Sequence, residues 1–159
     1  MKYPIGIQSF ESLRTNGYVY VDKTAYIYKL ATEGKYYFLS RPRRFGKSLI
    51  VSTMAAYFRG KRDLFKGLAI ENLEKEWTSY PVLYIDLNTG KYDSDDSLFH
   101  VLNDFLCKQE AVYGVSPSEV TLELRFKGLI ERVAQQTGRP VVILVDEYDK
   151  PMLQAINNK

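Results

Sequence analysis

One cysteine, Cys107, and one histidine, His100, are all that the 159 residues contain of the usual metal-site and disulfide formers. A lone cysteine makes no internal disulfide, and without a Cys/His cluster no structural zinc site is expected. Long apolar runs are missing too. None approaches the roughly 18 residues that read as a membrane span, so no membrane partner is expected. Met1 to Gln8 has no apolar run after its one lysine, which argues against a secretory signal. Nor does charge of one sign dominate. Lys and Arg number 22 against 19 Asp and Glu, a net charge of +3, and the pI of about 8.8 falls short of the value near 9 that marks a nucleic-acid footprint. There is no repeat and no low-complexity tract. The compartment these absences suggest is the cytoplasm.

What is present suits a single globular domain. Hydrophobic residues make up 45% and charged residues 26%, ordinary values for such a fold. The 13 tyrosines are expected mainly in the core or at its edge rather than stacked on bases. Along the chain, apolar positions Ala25, Ile27, Tyr28 and Leu30 predict a short helix over 24–31, with Asp22 or Thr24 at its cap. The aromatic run Lys35 to Ser40 has strand length. Lys47 to Phe58 reads as a helix with Leu49, Ile50, Met54, Ala55 and Phe58 on one side. Pro81 to Leu87 reads as a strand. Leu98, Val101, Leu102, Phe105 and Leu106 predict a helix over 97–109. Glu119 to Gln136 reads as another, stopped by Gly138-Arg139-Pro140. Val141 to Val145 is a last strand, also expected to be buried, and the near-continuous apolar run of Pro81 to Leu87 suits a parallel sheet buried on both faces. This alternation predicts an α/β domain with a parallel core sheet, whose ligands bind beyond the carboxyl ends of the strands.

Two segments with chemical potential lie at such ends. Gly46-Lys47-Ser48 follows a predicted strand and opens a predicted helix. Backbone N–H groups and the helix dipole there favour an anion. Gly46 lets the backbone come close, Lys47 is placed to reach β- and γ-phosphates, and the Ser48 hydroxyl suits Mg²⁺. The full pattern G-x-x-x-x-G-K-S/T asks for glycine where this chain has Arg41, and Pro42 stiffens the same turn. The triplet alone would arise by chance in roughly one chain in ten of this length; its strand–loop–helix setting gives it weight.

The second segment is the apolar run closed by Asp146-Glu147, a Walker B pattern. The aspartate would hold Mg²⁺ directly or through water, and the glutamate would orient or deprotonate the attacking water. The bland alternative is a polar turn where a buried strand meets water, with Glu147 merely pairing with Lys150 or a loop arginine. The strand Pro81 to Leu87 lies between the two motifs, which suits the additional-strand class of P-loop ATPases.

With these motifs the chain resembles the AAA-ATPase-like (predicted AAA-ATPase) family of prokaryotic P-loop proteins. The resemblance rests on IGIQSFESLR, YVYVDKTAYIYKL, SRPRRFGKSLIVSTM, YPVLYIDL and VILVDEYDKPM, running from Ile5 to Met152. Arginine at the position of Arg41 is usual in that family. The resemblance implies a three-layer P-loop NTPase fold of the AAA-like, additional-strand type, incomplete at its C-terminus, with residues 1–34 an N-terminal extension and 35–159 the nucleotide-binding core.

It also implies ATP and Mg²⁺ as cofactors. Arg43, Arg44, Phe45, Gly46, Lys47, Ser48 and Leu49 would form the nucleotide loop; Ser48 and Asp146 would hold Mg²⁺; Lys47 and Glu147 would be catalytic. Of the two adjacent arginines, one is expected to face the phosphates and the other solvent or a neighbouring subunit, where it would serve as an arginine finger. Asp22-Lys23-Thr24 matches a family motif that either caps a helix or lies beside the base or sugar. Members of the family are usually longer, many with a PD-(D/E)XK nuclease-like domain, so the chain is expected to be the N-terminal part of a motor or switch protein. Alternatives are a nucleotide-binding module without turnover, or a nucleic-acid module using Arg41, Arg43, Arg44 and Lys47, with Lys61 and Arg62. A homo-oligomer is left open.

Overall fold

The structure is a computed structural model in which residues 2–40, 46–89, 92 and 96–151 are described. The chain divides into two compact units, Met1–Tyr80 and Pro81–Lys159.

The first unit is helical. Helix α1 (Phe10–Thr15) starts at Ser9, whose hydroxyl accepts the Ser12 N–H, and it buries Phe10 and Leu13. Helix α2 spans Thr24–Glu33, α3 spans Lys47–Phe58, and after a 3-10 turn at Arg62–Phe65 comes α4, Ala69–Leu73. Helix α3 is apolar on most sides, as suits a helix inside a core. Its neighbours in that core are Phe10, Ile27, Phe65, Leu68 and Ile70. Aromatic rings fill the space: Phe10 lies 4.9 Å from Phe65 and 5.1 Å from Tyr20, and Phe65 lies 5.2 Å from Trp77. Polar ties fix the helices. The Ser52 hydroxyl accepts the Phe10 N–H and donates to the Gln8 carbonyl, each at 3.0 Å, so α1 is pinned to α3. Arg14 donates to the carbonyls of Leu64 and Lys66. Helix α3 ends in a Schellman motif: the N–H of Gly60 reaches the Tyr57 carbonyl at 2.9 Å and that of Lys61 the Ala56 carbonyl at 3.1 Å. Gly60 has φ 67°, and a Cβ there would sit 3.0 Å from the Trp77 carbonyl oxygen, so both conformation and space call for glycine.

The second unit carries the sheet. Strands β1 (Val82–Asp86) and β2 (Val142–Asp146) pair in parallel, Val82 opposite Val142 and Asp86 opposite Asp146. A parallel pair needs a long crossover, and helices α5 (Ser97–Tyr113) and α6 (Leu122–Thr137) supply it. Thr121 caps α6 by accepting the Leu124 N–H, and Gly138 ends it at φ 63°. Leu106, Leu129 and Val133 of these helices pack on Leu83 of β1.

The α/β expectation holds at the level of mixed helices and a small parallel sheet. Two finer expectations do not. Lys35 to Ser40 is not a strand: Tyr36 is 94% and Phe38 75% exposed. A strand exists through its ladder partner, and among the described residues of this unit the one β pairing is the isolated bridge Lys2↔Tyr18. Strand β2, expected to be buried, is buried only at Leu144 and Asp146. Ile143 and Val145 are 41% and 40% exposed, because α5 and α6 cover the sheet at β1.

Candidate functional site

Arg41, Pro42, Arg43, Arg44 and Phe45 lie outside the described residues. From Gly46 onward the first motif is defined. Gly46 has φ 74° and ψ 28°, in the left-handed region, and stands at the N-cap of α3. No atom lies within 4 Å of where its Cβ would be, so the requirement for glycine is one of backbone angle. Its carbonyl accepts the Ile50 N–H at 3.0 Å, the first turn of the helix. Lys47 is buried at 9% exposure, and Ser48 and Leu49 are half-buried. The first turn of a helix directs its N–H groups outward with no intrahelical acceptor, and the dipole of the 12-residue α3 adds partial positive charge there. Behind them the Thr53 hydroxyl, fully buried, donates to the Leu49 carbonyl at 2.7 Å and steadies this turn.

A cleft of about 550 Å³ in the same unit runs along α2 and reaches Ile50 of α3. Tyr26, Leu30, Tyr37 and Leu39 give it apolar walls, and Lys23 stands at its edge.

The N-cap position of α2 is Lys23, with no side-chain cap bond of its own, and it is Asp22, one residue earlier, that takes the first N–H of that helix. Asp22 and Thr24 also serve α4. Asp22 Oδ2 accepts the Ala69 N–H at 2.7 Å, and Thr24 Oγ1 accepts that of Ile70 at 3.1 Å. Asp22 Oδ1 takes the N–H and the hydroxyl of Thr24 at 2.8 and 2.7 Å. Partial burial works to raise the Asp22 carboxyl, but these donors, Ala69 foremost, outweigh it and hold the group below its ordinary value.

The second motif sits at the carboxyl end of β2. Asp146 is 5% exposed. Its Oδ2 accepts the Tyr84 hydroxyl at 3.0 Å and its Oδ1 accepts the Glu147 N–H at 2.9 Å. Glu147 adopts φ 54°, a left-handed turn that bends the chain at the strand's end, and its carbonyl accepts the Lys150 N–H at 3.0 Å. Lys150 extends its ammonium to the Asn88 carbonyl at 2.6 Å and side-chain oxygen at 3.1 Å, 5.9 Å from the centre of the Tyr92 ring. Tyr92 donates to the Leu87 carbonyl at 2.7 Å; burial first, and then the Asp86 charge, push its phenol above the ordinary value. Asp86 Oδ1 accepts the Asn88 N–H at 2.8 Å.

Tyr84, Asn88 and Tyr92 were not singled out by motif. The signal for Tyr84 existed only in the register: it lies two residues before the partner of Asp146.

Among the described residues no group of three or more His, Cys, Asp or Glu is arranged to hold a metal by itself. Mg²⁺ does not need such a cage, since it takes one or two protein oxygens and completes its shell with phosphates and water. The buried Asp146 carboxylate of the second unit is of that oxygen type. No helix among the described residues is long and apolar enough to cross a membrane.

A profile of the predicted AAA-ATPase family matches residues 4–159. A protein described as an uncharacterized protein in the vnfD 5′ region of Azotobacter chroococcum mcd 1 is 41% identical over 154 residues, covering 96% of this chain and 30% of that protein. The chain therefore spans about a third of the length of that relative. No solved structure matches.

Proposed function

This chain belongs to the predicted AAA-ATPase family, and we propose that it binds ATP with Mg²⁺ and hydrolyses it as the motor or switch domain of a larger protein. The observation that carries the reading is the start of α3, where a left-handed glycine opens a helix directly onto Lys47 and Ser48. Residues 35–159 are read as the nucleotide-binding core of an additional-strand P-loop fold, with 1–34 as an extension.

In this reading the N–H groups from Gly46 to Leu49, with Arg43, Arg44 and Phe45 before them, cradle the phosphates. Lys47 adds a charge at the β- and γ-phosphates, where burial strengthens it. Ser48 and Asp146 would each offer an oxygen to Mg²⁺, which when bound would neutralise phosphate charge and polarise the γ-phosphoryl group. Glu147 takes the proton of the attacking water. The cleft beside α2 is of ligand-site size, and its aromatic walls suit the base. A homo-oligomer, and nucleic acid reached through an attached nuclease-like domain, belong to the same proposal for the longer protein.

The test is Lys47→Ala. Binding of a fluorescent ATP analogue should weaken by about tenfold or more, as expected when a charge-assisted contact is lost. Because Lys47 is buried, the melting temperature without nucleotide is measured beside it so that the affinity is read on folded protein. Equal titration curves would overturn the reading.

A further inference from the structure

Tyr84 sits in the middle of β1, far in sequence from both motifs, yet its hydroxyl donates to Oδ2 of Asp146 at 3.0 Å. The register accounts for this. Asp86 is the partner of Asp146, and residues two apart on a strand share a face, so Tyr84 and Asp146 face the same side one step apart along neighbouring strands. A phenol is long enough to cover that step.

The contact fixes a carboxylate. Asp146 Oδ1 takes the Glu147 N–H at 2.9 Å while Oδ2 takes the phenol. Two donors on opposite oxygens define the plane of the group and leave lone pairs on each oxygen for a cation or its water. A carboxylate that is 5% exposed has lost most of its hydration, and fixed donors compensate for that loss. We infer that Tyr84 is a positioning residue whose hydroxyl orients Asp146 and thereby sets the affinity for the Mg²⁺ that accompanies nucleotide. The inference rests on the reading of Asp146 as a Mg²⁺ ligand. Partners of metal ligands act in this way, by fixing the ligand's orientation and basicity.

The experiment compares the parent chain, Tyr84→Phe and Asp146→Asn. Binding of a fluorescent ATP analogue is followed as Mg²⁺ is titrated in, with a control in EDTA and the melting temperature of each nucleotide-free chain. Tyr84→Phe removes one oxygen and keeps the ring. It should raise the half-saturating Mg²⁺ concentration about tenfold and leave binding in EDTA unchanged. Half-saturation is read on molecules that bind, so a uniform loss of stability does not mimic the shift. If Asp146→Asn moves the Mg²⁺ dependence and Tyr84→Phe does not, the role of Tyr84 is overturned and that of Asp146 stands. If neither moves it, the reading of Asp146 falls and the inference with it. A lower melting temperature with unchanged Mg²⁺ dependence makes the hydroxyl a structural donor only, which also overturns the inference.

Discussion

Glu147 holds φ 54°, a conformation that costs a non-glycine residue on the order of 1 kcal/mol. A glycine would adopt it without strain, so the glutamate side chain is retained at some expense to stability. That points to a use for the carboxylate, and the use proposed is polarising the water that attacks the γ-phosphate. Glu147→Gln keeps the shape and removes the basic oxygen. In the full-length protein it should leave ATP binding intact and lower turnover by about a hundredfold or more. Glu147→Gly sharpens the comparison, because it should lose turnover equally while melting no lower than the parent. Turnover and melting temperature measured together decide the matter. If Glu147 only pairs with a neighbouring cation, Glu147→Gln lowers the melting temperature and leaves turnover per folded molecule unchanged, which removes it from the catalytic residues.

Between α5 and α6 the packing is partly ionic. Arg125 of α6 reaches both oxygens of Glu110 of α5 at 2.8 Å, with side chains 17% and 10% exposed, while Arg132 of α6 pairs with Glu119 of the connecting loop beside Gly128. The bond from Arg125 is the main cause holding the Glu110 carboxyl below its ordinary value, against the opposing effect of burial. A depressed carboxylate stabilises the fold above its unfolded value, near about 4.3, and loses that contribution as pH falls through the lower folded value. Arg125→Ala should therefore destabilise the second unit by about 2 kcal/mol at neutral pH, the scale of a bidentate charge-assisted bond at partial burial. Its penalty should shrink in acid, so urea titrations at pH 7 and pH 3 check both parts. An equal penalty at both values would assign the effect to packing of the side-chain stem. The helices themselves were readable from apolar spacing. Lys47–Phe58 was bounded correctly because Gly46 and the start of the apolar pattern coincide, and α5 and α6 differ from expectation only at their ends. Helices α1 and α4 were not readable: six and five residues give little periodicity, and α4 takes its N-terminal hydrogen bonds from Asp22 and Thr24, more than 40 residues away. Lys35 to Ser40 misled for a related reason, since strand composition does not supply a partner.

At the scale of the molecule, the motif residues were legible and their supports were not. Gly46, Lys47, Asp146 and Glu147 announce themselves by type and order. Tyr84, Asn88 and Lys150 are brought beside them by register and turn geometry, which a single sequence does not carry. The same contrast bears on nucleic acid. The net charge is only +3, and the densest basic cluster, Arg41, Arg43, Arg44 and Lys47, coincides with the loop proposed to neutralise a triphosphate. Of the other cations considered, Lys61 is already paired with Glu11 at 2.6 Å. Binding to DNA depends on the number of phosphates neutralised and falls steeply with salt. If the loop serves ATP, its arginines are not available to both ligands. Any association of this chain with a fluorescent duplex at low salt should then be displaced by saturating Mg²⁺-ATP and vanish near about 0.15 M salt, where screening is short-ranged. Anisotropy titrations with and without ATP read this directly. Salt-dependent duplex binding that persists at saturating ATP would support the nucleic-acid reading, through basic residues that the nucleotide leaves accessible.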